Sequence, residues 1–283
     1  MCMRTARPQS GYAPVNGLNL YYQIQGRGKP LVLLHGGVAA IEMFGENLPL
    51  LAEGRQVIGV DLQAHGRTAD IDRPLRFESM ADDIAGLLGF LGLETADIMG
   101  YSLGGGVALR TAIQHPDRVR KLVLVSTPFS QNGWYPEVLA GMAQMGPHAA
   151  EPMKQTPMYQ TYANIAPKVE DWPMLLTKLG ELLRYDYDWS SEVAMIKVPT
   201  LLVVGDADSV RTAHAVHFFE LLGGGNKGRQ LGRIRHVECT PGDSARPDPL
   251  HHLLVSGACV HSQPIPRRRI VRGPRICPPS RVC

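Results

Sequence analysis

The stretch Met99 to Gly105, reading Met-Gly-Tyr-Ser-Leu-Gly-Gly, constrains this chain more than any other. It holds Gly-x-Ser-x-Gly as Gly100, Tyr101, Ser102, Leu103 and Gly104, preceded by the strand-like run Ala96-Asp97-Ile98-Met99. Gly105 to Ala112 follow with apolar positions at helical spacing, so the context is strand, sharp turn, helix. In such a turn the serine takes a strained backbone conformation, and glycines two residues to either side remove the Cβ atoms that would clash. Ser102 Oγ then stands clear of the sheet edge. The backbone N–H groups and positive dipole end of the new helix face any oxyanion formed there. Two glycines around a serine also arise by chance as a glycine-rich helix start. The flanking strand and helix favour a nucleophile.

Length and composition narrow the setting. At 283 residues the chain suits one α/β domain with an inserted segment, and 44% hydrophobic with 19% charged residues describes a soluble globular protein. No apolar run reaches membrane-spanning length, and Met1 to Tyr12 lacks the apolar block of a signal peptide, so the expected location is cytoplasmic. The formal charge of +3 hides an asymmetry, because residues 264–283 carry six arginines and no acid, which leaves residues 1–263 at −3. Neither nucleic acid nor membrane is expected as a partner of this slightly acidic body. Four of the five cysteines (Cys239, Cys259, Cys277, Cys283) fall late and none has CxxC spacing, so no metal site is expected.

Taken in order, Tyr12 to Gln25 reads as a hairpin turning at Asn16-Gly17. Leu31-Val32-Leu33-Leu34 is a continuous apolar run, as in a strand buried on both faces of a parallel sheet, and ends in His35-Gly36-Gly37. A glycine pair there lets backbone N–H groups approach a ligand. Gly37 N–H pairs with Leu103 N–H as the expected oxyanion donors, while His35 shapes the loop rather than acting as a base. Val57 to Val60 is the next strand, followed by Asp61 to Arg67, in which Asp61 and His65 read as loop organisers. Met80 to Leu91 is helical, with Ser79 as its expected cap. Val119 to Ser126 supplies a further strand. The alternation implies a doubly wound, mostly parallel sheet that binds ligands beyond the carboxyl ends of its strands.

From Thr127 to about Met195 prolines and methionines are frequent, and Trp134, Trp172 and Trp189 all lie here. The expected architecture is a core of residues 12–126 and 196–225 with a helical cap, 127–195, lining an apolar pocket or packing into its own core. Val198 to Val204 reads as a buried strand ending in Gly205-Asp206-Ala207-Asp208. A carboxylate there reaches across to orient a histidine beside the serine; Asp208, further from the strand end, is preferred to Asp206. His214 and His217 read as surface residues of an amphipathic helix ending near Leu222.

With the loop His35-Gly36-Gly37, the turn Gly100 to Gly104 and the acid loop Gly205 to Asp208 in this order, the chain resembles the α/β-hydrolase superfamily over roughly residues 12–225. The resemblance implies a serine nucleophile, a backbone oxyanion hole, and an acid followed by a histidine, with no metal or organic cofactor. It also implies a final strand with the histidine just beyond it. Here the chain departs. Gly223-Gly224-Gly225-Asn226 precedes an atypical basic Pro/Arg/Cys-rich tail, 226–283, so that final strand is apparently missing; His236 follows only the poor strand Gln230 to Ile234, with His251, His252 and His261 as alternatives.

A displaced reading frame between about Asn226 and Val237 accounts for this. Permitted codons for Glu238 to Leu254, read one nucleotide later, encode Asn-Ala-Arg-Leu-Ala-Ile-Leu-Pro-Gly-Pro-Thr-His-Tyr-Thr-Ile-Phe: an apolar strand and a Pro-Gly-x-Thr-His-Tyr loop. Its histidine arises across the Pro249 and Leu250 codons. The other account is a genuine disordered basic tail. The expected function is cleavage of a carboxylic ester or related acyl bond of a small, fairly apolar compound through an acyl-enzyme, by Ser102, Asp208 and His236. The alternatives are a non-catalytic small-molecule binding protein of the same fold and an inactive product of a disrupted gene. Substrate identity and oligomeric state are not encoded legibly.

Overall fold

A computed structural model describes residues 9–225. Its centre is a seven-stranded sheet in the order β1-β2-β4-β3-β5-β6-β7, built from β1 (Gln9–Val15), β2 (Leu18–Gly26), β3 (Lys29–Leu34), β4 (Arg55–Val60), β5 (Ala96–Tyr101), β6 (Val119–Val125) and β7 (Thr200–Val203). The antiparallel pair β1–β2 turns at Asn16 and Gly17, both at positive φ (47° and 83°), a conformation Asn and Gly adopt at low cost. From β4 to β7 all neighbours are parallel. Leu31, Val32, Leu33 and Leu34 are each fully buried, which is why β3 shows no polar alternation.

Strand register decides what meets at the carboxyl edge. Leu34 pairs with Gly100, Gly100 with Leu124, and Leu124 with Leu202. The strands therefore end level, and the segments beginning at Gly36, Ser102, Ser126 and Val204 lie side by side.

Nine α-helices occur among the described residues: α1 (Asn47–Leu51), α2 (Phe77–Phe90), α3 (Leu103–Gln114), α4 (Pro136–Ala143), α5 (Ala150–Met153), α6 (Pro157–Ile165), α7 (Trp172–Leu183), α8 (Ser190–Val193) and α9 (Thr212–Leu221). Helix α2 starts at Phe77, earlier than its periodicity implied; Arg76 takes the cap position and Ser79 lies inside the first turn. Tertiary packing sets this start, because buried Phe77 packs edge-on to Trp189, with their ring centroids 5.2 Å apart. None of the described helices is long and apolar enough to cross a membrane.

The segment between β6 and β7 is helical, as expected, and closes on itself where it leaves the sheet. Trp189 N–H donates to Phe129 O (3.0 Å) and Gln131 N–H to Tyr187 O (2.9 Å). Its helices share one apolar core with the sheet: Trp172, Leu175, Leu176 and Leu179 of α7 belong to the cluster that includes Val32, Ile98 and Leu122. Lys178 fastens α7 to the loop after β4, with Nζ 2.6 Å from the Asp70 carboxylate and donating to Ile71 O and Arg73 O.

Two expectations need correction. Strand β7 was expected to be buried, yet its residues are half-buried apart from exposed Val203, and Val204 just beyond it is also exposed, because β6 is its one neighbour among the described residues. His214 was expected at the surface but is buried, stacked on Phe129 at 4.0 Å between centroids, with Nε2 accepting from Phe129 N–H. His217 is exposed. The tail 226–283, with His236, His251, His252 and His261, lies outside the described residues.

Asp61 and His65 organise their loop. Asp61 accepts from the N–H groups of Ile41 and Arg67 (both 2.9 Å). His35 is fixed through both nitrogens, Nδ1 donating to Gly36 O and Nε2 accepting from Leu62 N–H, so it has no free lone pair with which to act as a base. Both His35 and His65 are fully buried, and burial pushes their pKa values down to about 4 and about 3. Each is thus neutral in the folded state at pH values where the unfolded chain binds a proton, and stability falls as pH drops below about 6.5. The slope is up to about 1.4 kcal/mol per pH unit for each histidine. Urea unfolding between pH 7 and pH 5 is expected to show this decline, and His65→Asn to flatten it; a stability that is level across that range would contradict the assignment.

Candidate active site

Ser102 sits in the turn between β5 and α3 with φ 51° and ψ −114°, the strained conformation expected of it. The two flanking glycines are required sterically. A Cβ on Gly100 would lie 2.1 Å from Gly104 O, and one on Gly104 would lie 2.4 Å from Leu34 O. With neither Cβ present, α3 packs directly onto the end of β3. The turn is held by Ser102 N–H donating to Val125 O (2.9 Å), Gly106 N–H to Ser102 O (3.0 Å) and Thr127 Oγ1 to the same carbonyl (2.9 Å).

Backbone strain marks the same edge. Five non-glycine residues among those described have positive φ: Asn16 in the hairpin turn, and Val38, Ala64, Ser102 and Ser126 in the segments following β3, β4, β5 and β6. Left-handed backbone is costly for a β-branched residue such as Val38, and such residues concentrate where a fold holds groups for function.

The sheet register brings the remaining candidates to this edge. A Cβ on Gly36 would be 3.7 Å from Ser102 Cβ, and one on Gly37 would be 3.3 Å from the Leu179 side chain of α7. The loop after β3 is thus sandwiched between the serine turn and the segment above it. Leu103 N–H opens α3 and has no partner within the helix.

Asp208 stands across from Ser102. Its Oδ2 accepts from Ser126 Oγ (2.7 Å) and Gly205 N–H (2.9 Å), and its Oδ1 from Val210 N–H (2.9 Å). Partial burial pushes its carboxyl pKa up, but the N–H groups of Gly205, Val210 and Ser209 and the Ser126 hydroxyl outweigh that, holding it below the ordinary value. Asp208 is therefore ionised at neutral pH. Asp206 lines the same cavity but is exposed and accepts a local bond from Ala207 N–H.

A cavity of about 320 Å³ lies between serine and acid, lined by Tyr101, Ser102, Ser126, Trp134, Asp206, Asp208 and neighbouring loop residues. Of the three tryptophans, Trp134 lines this cavity, while Trp172 and Trp189 are core residues. None of the described histidines lines it. Besides His35, His65, His214 and His217, His115 pairs with Asp82 (2.7 Å) and His148 is exposed. Three participants had no stated role in the sequence reading. Ser126, Thr127 and Leu179 act through their neighbours, and the one legible signal was the position of Ser126-Thr127 at the end of an apolar strand.

Comparison with known proteins agrees with this geometry. The alpha/beta hydrolase fold family matches residues 29–255. An AB hydrolase superfamily protein, YisY, of Bacillus subtilis is 29% identical over 218 residues, covering 68% of this chain and 79% of its own length. A 2-hydroxy-6-oxononadienedioate/2-hydroxy-6-oxononatrienedioate hydrolase of Pseudomonas putida is 31% identical, covering 68% and 76%. Among solved structures, the enol-lactonase from Burkholderia xenovorans LB400 shares the fold with a TM-score of 0.60 and 24% identity, over 74% of this chain and 87% of that one. Serine turn, facing acid, strand order and relatives converge: the chain belongs to the alpha/beta hydrolase family and is a hydrolase.

Proposed function

We propose that this hydrolase cleaves a carboxylic ester or a related acyl bond of a small, fairly apolar compound through an acyl-enzyme on Ser102. The observation that carries the reading is that a strained Ser102 and an ionised Asp208 line one cavity. In this mechanism a base between them takes the Ser102 proton as Oγ attacks the acyl carbon. The N–H groups of Gly37 and Leu103 stabilise the oxyanion, and Asp208 fixes the tautomer of the base. Collapse of the intermediate expels the leaving group, which takes the proton, and water then hydrolyses the acyl-enzyme. Each step uses only side chains, backbone amides and water.

The base is a histidine encoded in a reading frame displaced between about Asn226 and Val237. Support comes from both ends of the described chain's last strand. Strand β7 leaves apolar residues half-covered at the sheet edge, as a strand lacking its outer neighbour does, and the Ser102–Asp208 cavity is lined by no described histidine. Resequencing the coding DNA from the Leu222 codon past the stop is expected to reveal an inserted or deleted base. An intact frame would leave His236 as the candidate, and activity surviving His236→Ala would then end that assignment too.

The second reading, a binding protein for acyl compounds without turnover, draws on the same absence of a described histidine at the cavity. A fluorophosphonate probe separates the two. The frame-restored enzyme is expected to be labelled at Ser102, with labelling abolished in Ser102→Ala. Asp208→Asn is expected to lower ester turnover by roughly 10³–10⁴-fold. An unlabelled restored chain that still binds acyl compounds would favour the binding reading.

A further inference from the structure

The end of β6 braces both halves of the site with two consecutive side chains. Thr127 Oγ1 donates to Ser102 O (2.9 Å), and Ser126 Oγ donates to Asp208 Oδ2 (2.7 Å) across 82 positions of sequence. The backbone is tied to the same places: Ser102 N–H donates to Val125 O and Ser126 N–H to Val203 O (both 2.9 Å). Ser126 achieves this at φ 51°, a left-handed conformation that a glycine would adopt more cheaply. What serine has here and glycine lacks is the hydroxyl bonded to Asp208. The strain also sets the direction of that hydroxyl, since an extended backbone at this point would continue β6 instead of turning toward the loop after β7.

We propose that Ser126 is a positioning residue for the acid: its hydroxyl holds Asp208 Oδ2 in the orientation and charge state in which Oδ1 and the remaining lone pairs face the cavity shared with Ser102. This deepens the hydrolase reading and rests on it for the role of Asp208, while the contact itself is independent of which group serves as base. Without the Ser126 hydroxyl, Oδ2 keeps Gly205 N–H alone while Oδ1 keeps Val210 N–H, so the carboxylate loses the one side-chain donor that ties it to the end of β6. The groups facing Asp208 are few. They are the Ser126 hydroxyl from β6, the N–H groups of Gly205, Ser209 and Val210 on its own loop, and Asp206 and Tyr101 on the same cavity wall. No Lys, Arg or His forms an ion pair with it among the described residues, so hydrogen bonds control its titration.

The test follows the Asp208 carboxyl carbon directly by NMR titration of the full chain labelled with ¹³C-aspartate, the resonance being identified by its loss in Asp208→Asn. In Ser126→Ala the titration midpoint is expected to move upward by about half to one pH unit, because a donor to the charged form is lost. Ser126→Gly removes the hydroxyl while relieving the left-handed strain, and it is expected to show the same shift. Thr127→Val disturbs the same turn without touching the carboxylate and is expected to leave the midpoint in place. A midpoint unchanged in both Ser126 variants would overturn the proposal, as would an equal shift in Thr127→Val, which would mark a general loosening of the turn. Failure of Ser102 to react with a fluorophosphonate would instead count against the hydrolase reading and would leave this titration result standing.

Discussion

The approach of α3 to the end of β3 is the contact on which the site depends. Residue 104 lies so close to Leu34 O that any Cβ would collide with it. Because that approach is allowed, α3 starts one residue after the strand ends, and the intervening Ser102 is forced into left-handed backbone. The strain is sustained by what surrounds it: Val125 O and Thr127 Oγ1 hold the turn from β6, and α3 buries Val107, Ala108, Leu109 and Ala112 beneath it. Burying Val107 and Leu109 contributes about 1.5–3 kcal/mol each, together more than the roughly 1–3 kcal/mol that one strained residue costs. The packing thus offsets the strain, and the Ser102 hydroxyl is presented by a rigid scaffold.

Much of this was legible in the sequence because it rests on short-range rules. Gly100 and Gly104 announced the turn, the unbroken apolar run at Leu31 to Leu34 announced a strand buried on both faces, and Asn16-Gly17 announced a hairpin. The doubly wound, mostly parallel sheet followed from the alternation of such runs with helices, and the family from the turn at Ser102 taken with the His35-Gly36-Gly37 and Gly205 to Asp208 loops. Tertiary packing decided the features that were misread. Helix α2 starts at Phe77 because that ring is buried against Trp189, which propensity at Ser79 does not register. His214 is buried because Phe129, 85 residues earlier, supplies both a stacking face and an N–H donor. The strand end marked the position of Ser126 and Thr127 but not their bonds to Asp208 and Ser102. A hydroxyl at a strand end carries no periodic signal, and its partners are named only when register is known.

Strand β7 was misread for a different reason. Its composition is that of a strand with neighbours on both sides, whereas the described residues give it one. Sequence pattern records the environment a segment is suited to, and half-exposed Leu201 and Leu202 mark the difference between that environment and the one present.

The loop carrying Asp208 follows β7, whose one neighbour among the described residues is β6, and it is braced by the chain after β6. Trp134 bridges to Val210, Tyr135 N–H donates to Ser209 O (3.1 Å), and Arg211 N–H donates to Gly133 O (2.8 Å). Together with the Ser126 bond to Asp208, these place the acid in a short ladder formed by the chain that has just left β6 and is about to enter the helical segment. Trp134 belongs both to this ladder and to the cavity wall. The position of the carboxylate and the shape of the cavity are therefore set by the same hydrogen bonds. On the proposed mechanism, changes in the segment after β6 that reshape the cavity act at the same time on Asp208, so selectivity and turnover are expected to be coupled through residues 126–135.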